Sequence, residues 1–343
     1  MNGSGITMAD LAADMGISLT AVSRALSGKP GVSDQLRAQI IERARQLGYR
    51  KAVTDEAAAA SRPLVGVLVT EHFANRQSSY YQKMYEYLKA YAQAENQRTS
   101  LCLLTEEMTA AMQMPPFLGE RAAAGMVLMG PMDSAYFTSI TQHSPIPYVC
   151  LDTADEEHEL DSVLTDNFFG MYQMTRYLLA RGHRKIRFVG TVGSTEAITD
   201  RYYGFVKAME EYALKTTRAE IIPDRATREG YGFKMQLPDD PELPTAFVCN
   251  CDQTAAKVIT LLEERGLNVP KDISVVGFDG YLYPGLCDVA LTSYAVDMEG
   301  MASHCIRLLG RKIRKEAYKR GVRIIEGQLA ERQSVRALAA HER

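Results

Sequence analysis

Apolar positions along this chain recur at two periods, and the change from one to the other divides it. Between Thr7 and Gly48 they fall three and four apart in three short blocks, the spacing of helices that bury one face. Thr7, with Asp10 three positions on, reads as a capping box opening the first helix, and Gly16 supplies a left-handed turn residue after Met15. Ser18 caps a second helix running through Ser27. Only about three residues separate the two, the interval of a helix-turn-helix. After the break at Gly28, Pro30 and Gly31, Ser33 caps a third helix with Leu36, Ile40, Ile41, Ala44 and Leu47 on one face, closed by Gly48. Three such helices make one small all-α core, assigned to residues 1–50.

Residues 51–63 have no large apolar residue after Val53 and end in Pro63, so they predict a linker of helical propensity. From residue 64 to 343 the pattern changes. Short continuous apolar runs at 64–70, 99–104, 125–130, 146–151, 185–190, 244–249 and 273–278 alternate with amphipathic helices, which predicts parallel strands covered on both faces. That length exceeds one doubly wound domain. The chain is therefore expected to be α/β, a helix-turn-helix headpiece followed by two lobes, with a first crossing between lobes near Leu151 to Val163. The segment 291–334 is expected to return to the first lobe and finish in the second.

Charge sharpens the division. The net charge is −3, yet residues 1–51 carry seven Lys/Arg against four Asp/Glu, so the amino-terminal part is +3 and the rest −6. The basic end is the part suited to a polyanion. No basic head with an apolar run opens the chain, and no stretch approaches the roughly 18 apolar residues of a membrane span, so a cytoplasmic location without membrane contact is expected. Six cysteines without a C-x-x-C pair read as reduced thiols, not metal ligands. G-x-x-x-x-G-K-[ST], H-E-x-x-H and G-x-S-x-G are absent, so no catalytic residue, metal or cofactor is expected. His183, after Gly182, reads as a helix cap.

In the second helix Val22 and Leu26 face inward, which leaves Leu19, Thr20, Ser23 and Arg24 outward. A helix in the major groove reads bases with such positions: Arg24 can fork onto a guanine edge, Thr20 can meet a base or a thymine methyl, and Ser23 can reach a phosphate. A three-helix bundle that binds a protein would show the same periodicity. In the sensor, open α/β sheets bind ligands beyond the carboxyl ends of their strands, where Asp152 ends one strand and Asp279 another. Carboxylates there accept hydrogen bonds from hydroxyls, and Arg201 can donate several.

Several motifs resemble the lactose/galactose-repressor family of transcriptional regulators. They are the T-A-V-S-R-A-L-S-G run from Thr20 to Gly28, Val32-Ser33, and L-G-Y-R from Leu47 to Arg50. The likeness continues through D-N-x-x-G at Asp166–Gly170, R-G-H-x-x-I at Arg181–Ile186, D-R-x-x-G-F at Asp200–Phe205, D-Q-T-A at Asp252–Ala255 and V-P-x-D-I-S-V-V-G-F-D at Val269–Asp279. The resemblance implies a homodimer on a two-fold operator DNA site, with a two-lobed, periplasmic-binding-protein-like sensor for a small effector, a sugar or sugar phosphate. Thr7, Leu19, Thr20, Ser23, Arg24, Ser33 and Tyr49 form the implied DNA-facing set. Tyr80, Asp152, Thr165, Arg201, Asn250 and Asp279 form the implied effector set, with Tyr231 a further candidate and Tyr81 at the cleft edge or the dimer contact. The choice between Asn250 and Cys251 stays open, since neighbours on a strand face opposite ways. Ala58 stands where the family carries a minor-groove leucine, with Asp55 and Glu56 nearby, so weaker groove insertion is expected. A purine-type corepressor member, a member requiring a phosphocarrier protein, and a sugar-transport binding protein are the alternatives.

Overall fold

The computed structural model describes residues 6–26, 31–49, 62–74, 79–119, 123–154, 160–225, 235–239, 243–282, 285 and 287–339. Ala58, Asp55, Glu56 and Tyr231 lie outside the described residues. The chain forms two compact units, Met1–Pro63 and Leu64–Arg343.

The first unit holds α1 (Met8–Met15), α2 (Leu19–Leu26) and α3 (Asp34–Gln46). The Thr7 hydroxyl accepts from the Asp10 amide at 3.3 Å, while the Thr7 amide donates to the Asp10 carboxylate at 2.8 Å, closing the capping box. Gly16 takes φ 65°, which its missing Cβ permits without strain. Ser18 and Ser33 accept from the amides of Ala21 and Leu36 at 3.1 and 3.3 Å, so each starts its helix. Leu11, Val22, Ala25, Ile40 and Ala44 fill the core, whereas Ile41 stays half-buried outside it. Two long cations lock the packing: Arg37 donates to the carbonyls of Arg24 and Ala25 at 3.1 and 3.0 Å, and Arg43 forks onto Asp14 at 2.6 and 2.8 Å.

In the second unit, the first lobe contains β1 (Leu64–Thr70), α4 (Ser79–Ala94), β2 (Arg98–Leu104), α5 (Glu106–Ala110), β3 (Gly125–Met129), α6 (Ser134–His143), β4 (Tyr148–Leu151) and β5 (Ser162–Thr165). The chain then enters the second lobe through α7 (Asn167–Ala180), β6 (Ile186–Val189), α8 (Glu196–Glu211), β7 (Ala246–Cys249), α9 (Asp252–Glu263), β8 (Ser274–Asp279) and β9 (Thr292–Ala295). It returns with α10 (Met298–Ile313) and β10 (Arg323–Ile325), and β11 (Gln328–Ala330) closes the second sheet. The first sheet has the order β10-β5-β4-β3-β1-β2 and is parallel throughout. The second runs β11-β9-β8-β7-β6, parallel except for β11. Central β1 is buried along all but its last residue, as helices on both faces require, while edge strand β2 leaves Leu101 and Leu103 exposed.

The first crossing is later than the sequence suggests. β5 stays in the first lobe, and Asp166 then caps α7 by accepting from the Phe169 amide at 2.8 Å. A four-residue strand, SVLT, carries too little apolar signal to stand out. Asp297 caps α10 in the same way at the second crossing. His183 is fully buried, and its ring joins Thr245 Oγ1 and the Arg336 carbonyl at 3.0 Å each, so it ties loops together instead of capping a helix. No helix among the described residues is long and apolar enough to cross a membrane.

Candidate nucleic-acid interface and effector cleft

On α2, burial of Val22 and Ala25 turns the opposite face outward. Leu19 is 51% exposed there, a large apolar side chain with no packing role, and Thr20, Ser23 and Arg24 are exposed beside it. The Arg24 guanidinium runs over Gly31, where an added Cβ would sit 2.8 Å from its Nη1. Thr7 and Ser33 are exposed, but their hydroxyls are engaged as helix caps. Tyr49 departs from its expected place. It is 7% exposed and packs in the core behind α3, because its amide follows the helix end back to the Ala44 carbonyl at 2.9 Å.

The second constellation is assembled from both lobes of the sensor. Asp152 leaves β4 with φ 56° and Asp279 ends β8 with φ 111°, conformations rare for a residue with a side chain. Two carboxylates held this way at strand ends mark a site where the backbone is bent to aim them. Arg201, on α8, is 6% exposed and fixed from several sides. Its Nε donates to Asn167 Oδ1 at 2.8 Å, its Nη1 donates to the Asn250 carbonyl at 2.7 Å, and Nη1 lies 3.6 Å from Asp279 Oδ1. The guanidinium also sits 3.8 Å from the centre of the Phe278 ring, a cation–π contact strengthened by exclusion of water.

From the first lobe, the Tyr81 hydroxyl donates to Asp152 at 2.8 Å, and the Tyr80 ring stands edge-on to Tyr81 at 5.1 Å. The hydroxyls of Tyr80 and Thr165 are buried without a hydrogen-bond partner among the described residues. Leaving the Tyr80 hydroxyl unpaired beside Asp152, Asp279 and Arg201 costs about 1–3 kcal/mol, which a bound polar molecule would relieve. Burial raises the Asp152 carboxyl, against the opposing pull of Arg201 and the Tyr81 hydroxyl. Burial likewise lifts Asp279 to about 7, with Arg201 lowering it and Asp152 raising it. The two carboxylates thus feel each other across the lobes.

Asn250 contributes its carbonyl, not its side chain. Its Nδ2 is turned away to Val189 O, Asp224 Oδ2 and Thr254 Oγ1 at 3.1, 2.8 and 3.2 Å. Cys251 caps α9, its sulfur accepting from the Thr254 amide, and burial pushes its thiol up to about 11. The sequence gives no sign of Asp224, a fully buried carboxylate in a loop. It accepts from Thr191, Asn250 and Thr254, and Arg225 forks onto it; these bonds outweigh burial and hold the carboxyl below its ordinary range. Asn167, Asp252 and Phe278 all lie within motifs noted above, where periodicity assigns them no role. Asp252 accepts from Ser293 at 2.6 Å, and an added Cβ at Gly277 would fall 2.1 Å from its Oδ1, so a glycine is required there. No group of three His, Cys, Asp or Glu fit for a metal occurs among the described residues.

Comparison with known proteins finds two sequence families. "Bacterial regulatory proteins, lacI family" matches residues 7–51, and "Periplasmic binding protein-like domain" matches residues 175–335. Catabolite control protein A of Priestia megaterium is 26% identical over 341 residues, covering 96% of this chain and 99% of the relative. The HTH-type transcriptional repressor PurR of Pectobacterium atrosepticum is 25% identical over 333 residues, covering 96% of each. Among solved structures, the complex of the transcriptional regulator CelR with cellobiose superposes with a TM-score of 0.65 at 21% identity, over 96% of this chain and 99% of that one. The lac repressor dimer bound to operator and an anti-inducer gives 0.65 at 20% identity, over 97% and 100%. These structural likenesses establish the two-lobed fold with its amino-terminal helices.

Proposed function

The chain belongs to the lacI family of bacterial regulatory proteins, and from that premise we propose that it is a repressor whose grip on operator DNA is set by a small molecule in the cleft between its sensor lobes. The observation that carries this reading is the convergence of Asp152, Arg201 and Asp279 from two lobes, beside the unpartnered hydroxyl of Tyr80. A ligand bridging the lobes favours one lobe arrangement over another, and that bias is what an allosteric effector supplies.

In this account α2 lies in the major groove with Leu19, Thr20 and Arg24 toward base edges and Ser23 toward a phosphate, while Thr7 and Ser33 act by fixing the helices. Residues 51–63 are the hinge joining headpiece to sensor. Two copies act together, in keeping with the lac repressor dimer to which this chain is similar, and the exposed Leu101 and Leu103 on edge strand β2 offer apolar surface for such a contact. A hydroxyl-bearing effector of the sugar class suits paired carboxylates and a guanidinium. A second reading is a corepressor-dependent member, in which the effector strengthens DNA binding; the relatives named HTH-type transcriptional repressor PurR are as similar to this chain as the control protein is. The two differ only in the sign of coupling.

The test begins by selecting the operator from random duplexes with the full-length protein, then titrating Arg201→Ala. The variant is expected to hold the selected DNA with near wild-type affinity and to lose its response to effector. An Arg201→Ala protein that still answers effector normally would remove Arg201 from the site.

A further inference from the structure

We propose that the second sensor lobe carries a further small-molecule site, apart from the cleft, that takes a small aromatic anion: a single ring seated against Phe188 and Tyr202, its carboxylate or phosphate held by Arg187 and Lys215. The site follows from how the edge of the second sheet is covered. β6 is the edge strand, and the chain that follows α8 comes back along it. That segment meets β6 near its carboxyl end, where the Ile222 amide donates to the Phe188 carbonyl at 3.0 Å and the Gly190 amide donates to the Ile222 carbonyl at 2.9 Å. Toward the amino end of β6 the two stand apart, and a pocket of about 150 Å³ opens between Arg184–Phe188, one face of α8 and residues 215–221. The effector cleft lies beyond the carboxyl ends of the strands, as in other open α/β sheets, so this pocket is distinct from it.

Its floor is aromatic. The rings of Tyr202 and Phe188 meet edge to face with centres 5.6 Å apart, and Phe205 tilts against them at 6.4 and 5.7 Å. A cavity of this size takes a group on the scale of one benzene ring. Tyr202 is 6% exposed, yet its hydroxyl has no hydrogen-bond partner among the described residues. Such a hydroxyl is a position for a ligand oxygen. Burial raises this phenol, and Arg218 is near enough to oppose the rise.

Its rim is cationic. Four Lys/Arg side chains line the pocket against one carboxylate, Glu220, which is committed to the Thr217 amide and hydroxyl at 2.9 and 3.0 Å. Arg184 is held by the Leu179 and His183 carbonyls and lies over the Tyr212 ring, and Lys185 is engaged as well. Arg187 and Lys215 differ from these. Neither side chain has an ion-pair, hydrogen-bond or ring partner among the described residues. Two cations lining one pocket with no free acid repel each other, and an anion relieves that repulsion. The planar fork of Arg187 matches a carboxylate or phosphate in particular.

The experiment is calorimetric titration of the full-length protein with phenyl phosphate and benzoate, with the uncharged benzyl alcohol and benzamide, and with inorganic phosphate. At least one aromatic anion is expected to bind, with the uncharged aromatics and inorganic phosphate each at least about tenfold weaker, since each lacks either the charge or the ring. Arg187→Gln and Lys215→Gln are each expected to weaken that anion by about tenfold, through loss of a charge-assisted hydrogen bond. Both should melt as the wild type does, because neither side chain holds another part of the fold. Tyr202→Phe, which keeps the ring, is expected to weaken it by about threefold. Uncharged aromatics or inorganic phosphate bound as tightly as the aromatic anion would overturn the proposal. So would wild-type affinity in all three variants, which places the anion elsewhere, or binding of no member of the panel.

Discussion

Arg24 and Asp279 carry their charges in opposite settings, and each supports a prediction of its own kind. Arg24 is exposed on a helix face that the headpiece core does not use. Arg24→Ala should relax sequence preference at one operator position and cost about 1–3 kcal/mol of binding, read by competition among selected duplexes. Equal weakening on every sequence would make it a phosphate contact. Asp279 is 15% exposed at its side chain, with a carboxyl raised to about 7. An acid raised on folding binds more protons folded than unfolded between its ordinary value and the raised one, so its contribution to stability falls as pH rises through that window. Burial lowers His72 and His183, which act in the opposite direction below their ordinary values, so the comparison must be with a variant. Asp279→Asn should gain in melting temperature relative to wild type between pH 6 and pH 8; a constant difference would contradict the raised carboxyl. Sequence gives such residues unevenly. Asp152 and Asp279 are legible because strand ends in open sheets face ligands. Asp224, which reaches Asn250 across 26 positions, belongs to no period or motif that would announce it.

Elements are legible where the signal is local. The capping box at Thr7, the left-handed Gly16 and the serine caps are each set within four residues, and the structure has them as the sequence implies. β5 is hidden because strand register with β4 and β10 comes from distant segments. The contact between α7 and α8 is equally non-local and matters for the cleft, since it brings Asn167 to Arg201. It is tight at Gly204, where an added Cβ would stand 2.1 Å from the Phe168 carbonyl oxygen. In an open helix, Gly→Ala stabilises by about 0.5–1 kcal/mol. Here Gly204→Ala must push two backbones apart, with an expected loss of about 1–3 kcal/mol by chemical denaturation, together with weaker effector binding as Arg201 shifts from Asn167. A more stable variant with unchanged effector affinity would show that the helices have room to spare.

At the scale of the whole molecule the account depends on two units communicating, a headpiece within Met1–Pro63 and a sensor within Leu64–Arg343. The division is legible from the change of apolar period and from the charge contrast, +3 over residues 1–51 against −6 over the rest. The sign of the communication is not, because it depends on the free-energy difference between lobe arrangements, which no local pattern encodes. The measurement that tests the central claim is operator affinity of the full-length protein, by fluorescence anisotropy on selected DNA, with and without a sugar that calorimetry has placed in the cleft. The account predicts a change of about 5- to 150-fold, a coupling of about 1–3 kcal/mol, absent in Arg201→Ala. Operator affinity that stays the same with the cleft filled would contradict it.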